Sequence, residues 1–86
     1  MKNISERTSM IDLFLKGIVN VRVMNRCRRA GIECVRDILD IVEKYGSIVE
    51  KFGPSRDFTP SLQRVADTYY QQHGGPVSQS MNRVLL

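Results

Sequence analysis

Between Asn20 and Ile32 the segment NVRVMNRCRRAGI carries four arginines, Arg22, Arg26, Arg28 and Arg29, and no acid. A guanidinium group presents a planar fork of donors that matches phosphate oxygens, so several of them on one short segment form a surface suited to a polyanion. Wound at 3.6 residues per turn, the segment places Arg22, Asn25, Arg26 and Arg29 on one stripe and Val23, Met24, Cys27 and Ala30 on the opposite side. Arg28 adds a charge at the flank, and the nearest acid, Glu33, lies beyond the stripe. A charged stripe on a short helix is commonly a solvated face and nothing more. What sets this one apart is its purity of sign, because solvated faces interleave acids with bases.

The second stretch with chemical potential is Gly53-Pro54-Ser55-Arg56. A glycine turn that feeds a helix leaves backbone amides pointing outward, where they can hold a phosphate; Ser55 would add a hydroxyl donor and Arg56 a charge. The same Gly-Pro pair also serves as a plain helix breaker. Elsewhere the chain offers little chemistry. There is no paired-carboxylate, Ser/His/Asp or Cys/His arrangement with persuasive spacing, and His73, the single histidine, falls near a helix end. Cys27 and Cys34 lack a second cysteine pair or a nearby histidine, so metal-ligand spacing is absent. Cys27 on the apolar side of its helix reads as a small core hydrophobe, with a disulfide or redox pair to Cys34 as the alternative. Neither catalysis nor a cofactor nor a metal is expected.

These residues must be positioned by a small fold. Eighty-six residues, 42% hydrophobic and 26% charged, suit one folded domain near the size where a single core gives modest stability. The net charge of +4 fits an anionic partner without demanding one. No signal-peptide pattern occurs, and no apolar run approaches the roughly 18 residues that span a bilayer. A cytoplasmic location away from membranes is therefore expected.

The pattern predicts an all-α domain of four to five helices over residues 9–74, with a flexible N-terminus over 1–8 and a mobile tail over 75–86. Ser9 with Asp12 resembles a capping box that opens a short helix ended by Gly17. Asn20 caps the arginine helix, and Gly31 suits the left-handed position that closes it. Val35, Ile38, Leu39, Ile41 and Val42 mark a third helix that ends near Lys44 to Gly46. Ser47 and Glu50 open a short helix, Ile48 to Phe52, stopped by Gly53-Pro54. Thr59 as cap with Pro60 as first helical residue predicts a last helix to His73, with Leu62, Val65, Ala66 and Tyr69 on its buried stripe.

The order Asn20-Val21-Arg22, Asn25, Ala30-Gly31-Ile32, then Val35, Asp37, Ile38 and Leu39 resembles the C-terminal domain of the bacterial RNA polymerase alpha subunit over roughly residues 18–40. The resemblance implies a compact helical domain of helix-hairpin-helix, SAM-like character that binds the minor groove of A·T-rich double-stranded DNA in transcription. It implies Arg22 as the groove-reading arginine, Asn25 as its polar companion and Arg26 as a further contact. An inserted arginine suits a narrow A-tract groove, whose negative potential is concentrated. Two registers fit the second half: Phe52-Gly53 on the family's Leu-Gly, or Ser61-Leu62 on its Ser-Leu with about five extra residues. With no linker or assembly domain beside it, the sequence is expected to be a free-standing relative that binds DNA through Arg22, Asn25, Arg26, Arg29, Gly53, Ser55 and Arg56. RNA polymerase, sigma or an activator are the implied protein partners, and association with the nucleoid is the implied location. The competing expectation is an interaction adaptor of the transcription machinery using Tyr69, Tyr70 and Val84-Leu85-Leu86.

Overall fold

The apolar spacing read above closes into five helices in the computed structural model, which describes residues 3–74. They are α1 (Met10–Leu15), α2 (Val21–Arg29), α3 (Val35–Tyr45), α4 (Ile48–Phe52) and α5 (Phe58–His73). No strand occurs among the described residues; Ser9 and Cys34 form a single antiparallel bridge. The chain is all-α. None of these helices is long and apolar enough to cross a membrane. The tail expected over residues 75–86, with Val84, Leu85 and Leu86, lies outside the described residues.

Caps define the starts. Ser9 accepts from the Asp12 amide at 3.0 Å, Asn20 from Val23 at 2.8 Å and Ser47 from Glu50 at 3.3 Å, each satisfying a donor that the helix itself leaves unpaired. Asp37 reaches back to the amides of Glu33 and Cys34 at 2.8 and 3.3 Å and secures the start of α3. Gly31 and Gly53 adopt φ of +79° and +80°, values that glycine reaches without the clash a Cβ would meet.

α3 packs against both α4 and α5, and α2 bridges α1 to α5. The core is continuous, with Leu13 from α1, Val23 and Cys27 from α2, Val35, Ile38 and Leu39 from α3, Ile48 from α4, and Leu62, Val65 and Ala66 from α5. Cys27 and Cys34 are both free thiols. Burial pushes the Cys27 thiol up to about 12, so it remains protonated and inert at neutral pH. Ala30, expected on the packed side, is exposed, because α2 ends at Arg29 and Ala30 serves as its C-cap. Tyr69 is half-buried rather than a full member of the core stripe.

The N-terminus also differs from expectation. Over residues 3–8 the chain is not frayed but strapped to the fold, with Ile4 buried in the core. The Ile4 amide donates to Gln72 at 2.8 Å, and His73 Nε2 donates to the Ile4 carbonyl at 2.6 Å. The carbonyls of Glu6 and Thr8 accept from the first amides of α3, Arg36 and Val35, each at 2.9 Å. Arg36 then gathers Glu6, Asp40 and Glu43 at 3.0, 2.9 and 2.8 Å, and the Tyr69 hydroxyl donates to Glu6 at 3.3 Å. The polar look of this segment hid one apolar anchor and two carbonyls that complete a helix terminus.

Hydrogen bonding from the Arg36 guanidinium holds the Glu6 carboxyl below its ordinary value of 4.5. A group with a lowered folded value contributes stability above the unfolded value, and that contribution disappears as pH falls through the folded one. Glu6→Gln should therefore lower the melting temperature at pH 7 and reduce the fall of wild-type stability below about pH 4.5, as read by circular dichroism melts across pH. An identical acid profile for the two proteins would show that the strap makes no ionic contribution. A thiol reagent should modify Cys34 alone in the folded protein and reach Cys27 only after unfolding; equal labelling of both in native buffer would contradict the packing of α2.

Candidate nucleic-acid interface

α2 lies across the start of α5, and the seam between them is where the site forms. Phe58, the first residue of α5, is 3% exposed and meets Phe52 edge-on, with centroids 5.0 Å apart. Arg26 sits over the Phe58 ring, its guanidinium carbon 4.2 Å from the centroid. A cation over an aromatic face is attracted by the ring quadrupole, so Arg26 holds α2 to α5 as well as adding charge. Its guanidinium rests on the ring, while the residue as a whole stays exposed.

Together these contacts shape a shallow cleft of about 290 Å³ lined by Arg22, Val23, Arg26, Ser55, Arg56, Asp57 and Phe58. Four of the expected site residues, Arg22, Arg26, Ser55 and Arg56, thus converge from segments about 30 positions apart in sequence. Asn25 and Arg29 do not line this cleft. With Arg28 they border a separate concavity of about 350 Å³ farther along α2. The single stripe read from helical periodicity is therefore divided, and Arg28, placed on its flank by the sequence, belongs to the second part.

Arg22 occupies the second position of α2, inside the first turn, where the positive end of the helix dipole disfavours a cation. Nothing in the helix itself accounts for that placement. Its side chain is 82% exposed and its Nη2 donates to Asp57 Oδ2 at 3.3 Å. Arg26, Arg28 and Arg29 instead fill the last turn, where cations complement the carbonyl end.

The turn after α4 works differently from the simple amide cradle expected of it. The Gly53 amide donates to Val49 at 2.8 Å and Pro54 has none to offer, so the glycine supplies a backbone conformation rather than an anion donor. Its carbonyl accepts from the Thr59 hydroxyl at 2.7 Å. Ser55 Oγ accepts from the Thr59 amide at 2.8 Å, and this bond secures the start of α5. The helix consequently begins at Phe58, ahead of the Thr59-Pro60 start expected from sequence, and Thr59 is buried inside its first turn. Ser55 lines the cleft and keeps its own hydrogen to donate, since a hydroxyl that accepts still carries a donor.

Two residues of the site, Asp57 and Phe58, were not signalled by the sequence, because neither belongs to a local motif and both act across the α2–α5 seam. Among the described residues no group of three or more His, Cys, Asp or Glu side chains is placed to hold a metal ion. Arg26→Ala should lower stability by about 0.5–2 kcal/mol through loss of the Phe58 contact, measured by urea unfolding. A variant as stable as wild type would reduce Arg26 to a solvated charge. Comparison of the chain with models of known protein families, with curated proteins and with solved structures found no match.

Proposed function

We propose that the α2 face and the α4–α5 turn bind double-stranded DNA, with Arg22 as the residue that enters the groove. The observation that carries this reading is Arg22 itself, 82% exposed and placed in a first helical turn that disfavours it, beside the second basic element at Arg56. Five arginines, Arg22, Arg26, Arg28, Arg29 and Arg56, face outward from α2 and this turn against one carboxylate, Asp57. Such a surface supports phosphate binding and counterion release.

The resemblance to the polymerase alpha C-terminal domain narrows the reading to A·T-rich minor groove, acting in transcription. Support comes from the sequence order around Arg22 and Asn25, and from the α2–Gly31–α3 turn, which is compatible with helix-hairpin-helix character. Asn25 then acts with Arg28 and Arg29 on the flanking backbone rather than beside Arg22 in the cleft. The nucleoid location and partnership with polymerase, sigma or an activator follow from the same reading. No residue constellation on this surface supports an enzymatic reaction.

An adaptor role has one observation in its favour, the exposed apolar pair Ile11 and Leu15 on α1, 56% and 72% exposed and four residues apart. The tyrosines first expected to serve it are engaged elsewhere: Tyr69 bonds Glu6 and stacks on His73 with centroids 4.4 Å apart, and Tyr70 packs against the core. Titration of labelled A·T-rich and G·C-rich duplexes at two salt concentrations separates the readings. Arg22→Ala should weaken A·T-rich binding by about 1–3 kcal/mol, and wild-type affinity should fall steeply with salt. Unchanged affinity in a folded Arg22→Ala variant removes Arg22 from the site, and no binding even at low salt favours the adaptor.

A further inference from the structure

We propose that Asp57 is a brake on this surface: in the free protein its carboxylate occupies the guanidinium edge of Arg22 that a nucleic-acid backbone or groove would otherwise engage. The inference rests on the DNA reading above and adds how that site is regulated in strength. Asp57 is the one carboxylate lining a cleft that also holds Arg22, Arg26 and Arg56. It sits 3.3 Å from Nη2 of Arg22, whose side chain is 82% exposed, and is itself 43% exposed.

Its orientation is informative because its position predicts something else. Asp57 is the N-cap of α5, where an aspartate ordinarily accepts from the helix's own amides, yet its side chain makes no capping hydrogen bond. Ser55 makes that bond to Thr59 instead. The carboxylate makes no hydrogen bond to the start of the helix and is turned across the seam to α2. Facing an incoming duplex, it opposes binding twice: it repels phosphate, and it must release Arg22.

The pair is built to be broken. Exposed ion pairs contribute little and are screened by salt, so a polyanion with many phosphates displaces Asp57 without disturbing the fold. Val23 and Cys27 fix α2 in the core beneath Arg22, so release needs only side-chain rotation.

The test is a double-mutant cycle on the full chain, read by anisotropy of a labelled A·T-rich duplex at low and physiological salt. Asp57→Asn should tighten binding about three- to tenfold, and by less than about twofold when Arg22 is already alanine. In the absence of DNA, the Arg22 Nε–Hε resonance should shift in Asp57→Asn, which reports the pair in solution independently of any ligand. Unchanged or weaker binding by a folded Asp57→Asn overturns the brake, as does equal tightening in both backgrounds or an unmoved Arg22 resonance. If none of the variants binds DNA at low salt, the DNA reading itself falls and the brake with it; binding by wild type without a gain in Asp57→Asn removes the brake alone.

Discussion

The site depends on the burial of one ring. Phe58 begins α5 and yet lies in the core, edge-on to Phe52 and covered by Arg26. Fully burying a phenylalanine contributes about 1.5–3 kcal/mol, several times an exposed ion pair. The apolar contact therefore sets the geometry, and the charges follow from it. With Phe58 fixed against α2, the two residues before it, Arg56 and Asp57, are delivered to the same cleft as Arg22 and Arg26. Thr59 reinforces the arrangement by tying the first turn of α5 back to both Gly53 and Ser55.

Against that frame the basic character of α2 has two separate origins. Arg26, Arg28 and Arg29 sit in the last turn, where positive charge is favourable to the helix regardless of function. Their presence alone says little about a partner. Arg22 sits at the opposite end, where the same physics disfavours it, and the local compensation comes from outside the helix, through Asp57. Of the four arginines, Arg22 is the one that its own helix does not favour and that depends on a carboxylate from another segment.

Much of the secondary structure was legible because capping is local. Ser9, Asn20 and Ser47 bond amides three residues ahead, within reach of any pattern read along the chain. The glycines at 31, 53 and 74 mark breaks for the same reason. The start of α5 was misread at Thr59-Pro60 because the capping hydroxyl belongs to Ser55, four residues before the amide it serves. The strap over residues 3–8 was illegible for a stronger reason. Its bonds run from Ile4 to Gln72 and His73, nearly the length of the described chain, and depend on where α3 and α5 come to rest. The Arg22–Asp57 pair, 35 residues apart, likewise has no signature in either segment. Periodicity grouped Arg22 with Asn25 and Arg29, but only packing against α5 decides which of them borders the cleft.

The two ends of α5 are held by different kinds of force, and this bears on how the surface can respond to a partner. At the His73 end, core packing, the Ile4 hydrogen bonds and the Arg36 cluster act together, and their loss would uncover the start of α3 as well. At the Phe58 end the backbone is secured by the buried ring and the Thr59 bonds, while the groups that face solvent, Arg22, Arg56 and Asp57, are attached only through exposed side chains. Regions with few buried contacts rearrange at low free-energy cost. Here the groups that a partner would meet are exposed side chains, beside a helix start secured by Phe58 and Thr59. The cleft can therefore exchange an internal carboxylate for an external anion without altering the helix packing that positions it.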